Sequence, residues 1–190
     1  MISLIIFLIA VAFTLTLNLI LFANVCGIWI MLLIVLGSII GMIAINGFIA
    51  ALCSKWLPDS WFSDKFKFYQ VSKKECRFYE KLGIKKWKDK TAELGFLNGF
   101  RKNKLADPNN PEYIKKFILE TNKGFLNHFI CLFLSFLAIF ILPIRFWLPL
   151  GLPIAITSFI LNIIPVAILR YNMPRLQIML KYAERNLNKK

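Results

Sequence analysis

The residues best suited to chemistry begin with His128, the single histidine of the chain. An imidazole is the usual base for taking a proton from a hydroxyl near neutral pH. Glu120 and Gly124 precede it at spacings of four, and Thr121 lies seven residues before it, so one continuous helix puts all of them on one face. Gly124 would leave room on that face for a substrate or another helix. The pattern predicts a general base, His128, oriented by the Glu120 carboxylate; the alternative is an interfacial histidine that bonds a lipid headgroup.

A second group of polar residues follows the last apolar run of the chain. Its members fall within six positions: Arg170, Tyr171, Asn172 and Arg175. Guanidinium groups bind phosphate in paired geometry, although basic residues also flank membrane spans routinely. Asn162 lies inside the apolar run, where an amide is costly unless it is used or bonded, and Asn46 is a weaker case of the same kind. The group predicts a substrate-binding edge at which Tyr171, Asn162 or Asn172 donates to a developing oxyanion.

A third cluster combines a tryptophan with several lysines. It reads Lys85, Lys86, Trp87, Lys88 and Lys90. A tryptophan among lysines suits a membrane interface or the diphosphate of a nucleotide carrier, which predicts substrate contacts for Trp87 and Lys88. A solvated basic loop is the alternative.

The composition identifies the setting in which these residues act. The chain has 190 residues, 58% of them hydrophobic, with a mean hydropathy of +0.63. That is too apolar for a soluble domain of this size and predicts an integral membrane protein. The formal charge of +14 lies between and after the apolar runs, which favours anionic lipids and an anionic substrate over nucleic acid. One histidine and four cysteines without C-x-x-C spacing predict no metal site, and no cofactor is expected.

Four apolar runs predict an all-α fold of about four transmembrane helices arranged as two hairpins. The predicted spans are about 2–23, 28–53, 129–148 and 151–169, within one membrane domain, 1–190. A basic, aromatic-rich insert, 54–127, and the tail, 170–190, carry 23 of the 24 Lys and Arg residues, so positive-inside bias places both, and the N-terminus, in the cytoplasm of a multi-pass cell-membrane protein.

Further details concern individual elements of this arrangement. Asn110 and Pro111 predict the start of an amphipathic helix that feeds the third span, and Pro174 predicts the start of another. Gly37 and Gly41 form a G-x-x-x-G pair that is typical of helix association, including homo-oligomers, although glycine is common in membrane helices anyway.

From about Leu57 to the end, the chain resembles the family of glycosyl-4,4'-diaponeurosporenoate acyltransferases of staphyloxanthin-type carotenoid biosynthesis. The resemblance rests on four blocks: Pro58-Asp59, Trp87-Lys88 with Lys90, Glu120-Thr121 followed by His128, and Asn162 followed by Arg170-Tyr171-Asn172 with Pro174-Arg175. It implies transfer of a fatty acyl group to the sugar of a glycosylated carotenoid. The N-terminal part of this chain departs from the family in being longer and carrying a full hairpin.

The resulting hypothesis is a membrane acyltransferase with an acyl thioester, acyl-CoA, as co-substrate. The anionic carrier of the donor would bind Arg170, Arg175 and Lys88, with Thr121 also in the substrate site. His128 would deprotonate a hydroxyl of a lipid-linked glycoside, a reaction that needs no metal. If this hypothesis is correct, one cavity is expected to contain His128, Glu120, Asn162 and Arg170. The alternatives are a non-catalytic lipid-binding or scaffolding protein that uses the Gly37/Gly41 face, and a membrane transferase with another activated donor.

Overall fold

A computed structural model describes residues 2–91 and 107–187, and over these residues the protein is all-helical, which confirms the predicted fold class. The α-helices are α1 (Ile2–Cys26), α2 (Ile28–Ala51), α3 (Lys73–Lys81), α4 (Ile84–Trp87), α5 (Pro111–Leu137) and α6 (Leu152–Leu187). Four segments of the described chain are long and apolar enough to cross a membrane: Ile2–Val25, Ile28–Trp56, Pro111–Ile141 and Ile144–Leu187. Residues 92–106 of the predicted insert and 188–190 of the predicted tail lie outside the described residues.

Helix α5 begins as its sequence predicts. The side-chain oxygen of Asn110 accepts hydrogen bonds from the backbone N–H groups of Glu112 and Tyr113, at 3.0 and 3.3 Å, and Pro111 occupies the first helical position. The helix then continues without a break to Leu137. The predicted amphipathic helix and the predicted third span are therefore one element.

Helix α6 differs from the prediction. It runs over 36 residues from Leu152 to Leu187 and contains both Pro165 and Pro174. The prediction that a separate helix starts at Pro174 was wrong, because the helix passes through that proline. A proline removes one backbone hydrogen bond, but membrane helices tolerate the loss where their surroundings satisfy the freed carbonyl group.

Among the described residues, two compact units can be distinguished. The first is drawn from Met1–Leu52 and Asn127–Ile164, and the second from Cys53–Leu126 and Pro165–Lys190. The predicted single membrane domain, its boundaries and its orientation in the membrane stay predictions.

The first unit contains the hairpin of α1 and α2, which turns at Gly27. This glycine has a φ of 77°, a value that favours glycine. The core of the unit is apolar and consists of Met31, Val35, Phe146, Leu150 and Ile154. A Cβ atom built on Gly37 or Gly41 would meet nothing within 4 Å, so this glycine face is open among the described residues. Homo-oligomerisation through it stays a prediction.

The second unit packs the beginning of α5 against the end of α6. Its core consists of Ile114, Phe117, Ile118, Met173, Leu176 and Ala183. The polar insert is fastened to α5 at two neighbouring residues. Asn122 donates to the carbonyl oxygen of Phe62 at 2.8 Å, and the Lys123 ammonium lies 2.8 Å from a carboxylate oxygen of Asp59. These bonds fix the 3-10 turn Asp59–Phe62 beside the helix.

Candidate functional site

In the first unit, the side chain of His128 is paired with the side chain of Asn162. The ring Nδ1 lies 2.8 Å from the Asn162 Oδ1. The Asn162 Nδ2 donates to the Ser158 carbonyl oxygen at 2.8 Å and to the Asn46 Oδ1 at 3.0 Å. Because a carbonyl oxygen can only accept, the amide orientation is fixed, and the oxygen of Asn162 is the atom that faces the ring.

This orientation determines the tautomer of His128. The Asn162 Oδ1 can only accept, so the Nδ1 of the ring has to carry a proton and donate it. In the neutral ring the basic lone pair is then at Nε2. The arrangement matches the way in which an asparagine orients the histidine of papain-like proteases, with an amide in the place of a carboxylate.

A chain of neutral hydrogen bonds surrounds this pair. We call it the polar thread and define it as His128, Asn162, Asn46, Ser158 and Ser135. Asn46 donates to the Met42 carbonyl oxygen at 2.8 Å, and the hydroxyl groups of Ser135 and Ser158 share a hydrogen bond with 2.7 Å between their oxygens. Several of these side chains also bond the carbonyl group four residues earlier in their own helix, a short-range bond that lets a polar group lie inside an apolar helix.

Glu120 has a different partner from the one predicted. Its carboxylate accepts from Lys123 at 3.3 Å, and Lys123 also pairs with Asp59. In this structure the contact that orients the ring of His128 is supplied by Asn162. A catalytic role for Glu120 stays a prediction, and so does the convergence of His128, Glu120, Asn162 and Arg170 on one cavity.

In the second unit, Arg170 is committed to protein partners. Its guanidinium makes two hydrogen bonds of 2.6 Å to the Glu75 carboxylate, and it donates to the carbonyl oxygens of Phe68 and Gln70 at 2.7 and 3.0 Å. It also lies 4.9 Å from the centre of the Phe125 ring. The bidentate pair fastens α3 to α6, and the two carbonyl bonds fasten the segment before α3 to the same helix. The predicted contact of Arg170 with substrate stays a prediction, while the geometry points to a structural clamp.

The clamp changes the acidity of the groups around it. Burial alone would raise the pKa of the Glu75 carboxyl, but hydrogen bonds and charge from Arg170, with bonds from Tyr79 and the Ser72 backbone, lower it overall. Burial and the adjacent Glu75 carboxylate raise the pKa of Tyr79 to about 12. Glu75 is therefore ionised and Tyr79 neutral at physiological pH.

A cavity of about 170 Å³ lies within the second unit. It is lined by Lys88, Phe117, Thr121, Leu169, Asn172, Arg175, Leu176 and Met179. The fold thus brings together predicted site residues from three distant parts of the sequence: Lys88, Thr121, and the pair Asn172 and Arg175. Their roles in substrate binding stay predictions.

The remaining predicted residues lie near this cavity or are held by their own bonds. Tyr171 is buried, and its hydroxyl oxygen accepts from Arg175 at 2.6 Å while the guanidinium lies 4.6 Å from the centre of the tyrosine ring. The indole N–H of Trp87 donates to the Leu82 carbonyl oxygen at 3.2 Å. A Cβ atom on Gly124 would lie 3.4 Å from Leu169. Of the two neighbours predicted for Gly124, a substrate or another helix, the structure has a leucine of helix α6.

Sequence reasoning missed Glu75, Ser135 and Ser158. Glu75 stands three residues after Ser72, whose hydroxyl accepts from the Glu75 backbone N–H at 3.1 Å. This Ser-x-x-Glu pattern is the sequence signature of a helix start and would have located α3, but not the pairing with Arg170. The two serines are detectable only as polar residues inside apolar runs.

The chain matches a model of a known protein family. The family model described as glycosyl-4,4'-diaponeurosporenoate acyltransferase matches residues 58–182. This range contains every predicted site residue and excludes α1 and α2, in line with the extra N-terminal hairpin. No curated protein and no solved structure matches the chain.

Proposed function

We propose that this chain, which belongs to the family of glycosyl-4,4'-diaponeurosporenoate acyltransferases, is an integral membrane enzyme. In this proposal it moves a fatty acyl group from an acyl thioester, acyl-CoA, to a sugar hydroxyl of a glycosylated carotenoid or related glycolipid. Four apolar helical segments support the membrane setting. The observation that carries the catalytic part is the 2.8 Å pair between the Nδ1 of His128 and the Oδ1 of Asn162.

His128 is the general base of the proposed reaction. Its Nε2 accepts the proton of the sugar hydroxyl while the hydroxyl oxygen attacks the thioester carbonyl carbon. The tetrahedral intermediate collapses, the C–S bond breaks, and its electron pair stays on sulfur. The imidazolium then returns the proton to the thiolate, so the products are an ester and a free thiol.

Asn162 orients the base in this proposal. Its Nδ2 is directed at protein acceptors, the Ser158 carbonyl oxygen and the Asn46 amide oxygen, which argues against its use as a donor to the oxyanion. Its Oδ1 stabilises both the Nδ1–H tautomer and the imidazolium that forms during the reaction. Of the predicted oxyanion donors this leaves Tyr171, because Asn172 lines the cavity that we assign to the donor phosphate.

The second unit binds the anionic part of the donor. The guanidinium of Arg175 and the ammonium of Lys88 line its cavity, and cationic side chains of this kind bind phosphate groups. The strongly basic insert and tail then lie on the cytoplasmic side, where acyl thioesters are made, as the distribution of Lys and Arg favours.

The direct test uses the purified protein in lipid nanodiscs, with acyl-CoA and a glycosylated carotenoid. Acylated product is quantified by mass spectrometry. We expect His128→Ala and His128→Gln to lower kcat by about 100-fold or more, the usual contribution of a positioned base. Thr157→Val is the control: it removes another polar group from the first unit, one that bonds the carbonyl oxygen four residues before it in α6, and it should leave kcat unchanged.

The outcomes separate the proposal from its alternatives. Full transfer by His128→Ala protein would refute the base assignment. Wild-type protein that binds glycolipid but transfers nothing from any acyl donor would indicate a lipid-binding or scaffolding role. Transfer of a different group to the same lipids would indicate a membrane transferase with another activated donor.

A further inference from the structure

We infer that the cavity of the second unit recognises one phosphate group of the donor, the phosphate at the base of its phosphopantetheine arm, and leaves the nucleotide of acyl-CoA outside. The inference rests on the proposed function for the identity of the donor. The cavity itself is defined by the lining residues given above, with Lys88, Asn172 and Arg175 as its hydrogen-bond donors.

The cations of the cavity are available for a ligand. Arg175 gives one hydrogen bond to Tyr171, and no carboxylate among residues 2–91 and 107–187 lies within ion-pairing distance of it. Within the described parts of the chain, the Lys88 ammonium pairs only with its chain neighbour Asp89, at 4.0 Å, and Asp89 is largely exposed. An unpaired guanidinium beside a weakly paired ammonium favours an anionic ligand.

The neutral groups of the cavity refine this picture. Thr121 donates its hydroxyl proton to the Phe117 carbonyl oxygen at 2.8 Å, so it offers no donor to a phosphate. The side-chain amide of Asn172 has no hydrogen-bond partner among the described residues, and its N–H groups are suited to a phosphate oxygen. The sugar of a glycoside acceptor is neutral and makes no use of two cations, which assigns the cavity to the donor.

The size of the cavity excludes a whole nucleotide. Pockets for drug-sized ligands have about 300–1,000 Å³. The cavity here has about 170 Å³, room for a phosphate group and a few carbon atoms. Its other wall is apolar and consists of Phe117, Leu169, Leu176 and Met179. In phosphopantetheine, the CH2 group that bears the phosphate is followed by a carbon with two methyl groups. The ligand therefore has an apolar part beside its charge, as the cavity has an apolar wall beside its cations.

The test is a binding measurement that needs no turnover. The full-length protein in nanodiscs is titrated with CoA, phosphopantetheine and pantetheine by calorimetry. We expect CoA and phosphopantetheine to bind with similar affinity, and pantetheine to bind about tenfold or more weakly because it lacks the phosphate. Arg175→Gln should remove most of the difference between phosphopantetheine and pantetheine, and Arg175→Lys should keep part of it. Arg185→Gln, which changes another arginine of α6 that does not line the cavity, should leave the difference unchanged.

Several results would overturn the inference. They are pantetheine binding as tightly as phosphopantetheine, CoA binding more than about tenfold tighter than phosphopantetheine, and a short-chain phosphatidic acid binding tighter than phosphopantetheine, which would make a lipid the source of the phosphate. The proposed function is judged separately, by acyl transfer. Binding that discriminates for phosphate in a protein without transfer activity would refute the proposed function and leave the phosphate site standing.

Discussion

The two units of the protein hold their polar side chains by opposite means. In the first unit the polar thread is neutral, and amide and hydroxyl groups bond one another and the carbonyl groups of their own helices. In the second unit the corresponding work is done by ion pairs, Arg170 with Glu75 and Lys123 with Asp59. The difference follows the cost of burial, since a charge inside apolar helices costs several times more than a bonded neutral amide.

The two kinds of bond have different roles: the neutral bonds orient the ring of His128, and the ion pairs attach the insert to the long helices. The neutral amide of Asn162 fixes the tautomer of His128 without adding a charge to an apolar unit. The ion pairs of the second unit fasten the insert to α5 and α6 instead, which leaves Arg175 and Lys88 for a ligand. The contrast can be tested in each unit by substitutions that remove a hydrogen-bonding group or exchange a neutral group for a charged one.

The largest effect is expected when the orienting amide is removed. Asn162→Ala should lower kcat by about 100-fold with little change in KM, because the ring loses the bond that selects its tautomer. Asn162→Asp should retain much of the activity and shift the acidic limb of the pH–rate profile to higher pH, since an adjacent carboxylate makes the imidazole more basic. Unchanged kcat in the alanine variant would show that the pair does not orient the base.

A smaller effect is expected when the clamp of the second unit is broken. Glu75→Gln removes the charge that faces Arg170, and because the pair is partly exposed the loss of unfolding free energy should be about 2 kcal/mol, below the value for fully buried pairs. Glu80→Gln is the matched control on the same helix, because the Glu80–Lys85 pair is well exposed, and the cost should stay below about 0.5 kcal/mol. Chemical unfolding in detergent compares the two, and equal losses would contradict the clamp.

The next effect in size concerns the residue behind Asn162. Asn46→Val removes the amide oxygen that accepts from Asn162, and hydrogen bonds between membrane helices contribute about 0.6 kcal/mol on average, so kcat should fall about threefold. Ser38→Ala on the same helix removes only a bond to the Ile34 carbonyl oxygen and should leave kcat unchanged. A loss as large as that of Asn162→Ala would mean that Asn46 itself orients the ring.

The smallest effect is a dependence of stability on pH that the Glu75 carboxylate of the second unit should cause. The folded pKa of Glu75 lies below the ordinary carboxyl value of 4.5, so this carboxylate contributes stability that is present above that value and is lost as the pH falls through the folded pKa. Most of the loss lies at low pH, and only its beginning should appear between about pH 5 and pH 4. Unfolding should depend less on pH in Glu75→Gln protein, and an unaltered slope would assign the acid sensitivity to other carboxyl groups.

Sequence patterns were sufficient to predict helix starts and long helical segments, because both depend on residues that are close together in the chain. Asn110 and Pro111 located the start of α5, and the apolar runs located the four long helical segments. The same reasoning failed at Pro174, because a proline pattern does not reveal whether neighbouring groups satisfy the carbonyl group that it frees.

Pairings between distant residues could not be predicted in this way. Glu120 and His128 share a helix, but an ammonium three residues from Glu120 offers the nearer partner. The partner of Arg170 lies 95 residues earlier in the chain, and that of His128 lies 34 residues later. No local spacing encodes either pairing, since both depend on how the helices pack.

The amide of Asn162 also limits the path that a proton can take through the ring of His128. An amide oxygen does not take up a proton at physiological pH, so a proton that reaches the far nitrogen of the imidazole cannot leave through the near one. It departs from the atom at which it arrived. The hydroxyl group that gives up the proton and the sulfur atom that receives it therefore have to contact the same nitrogen of the ring, one after the other.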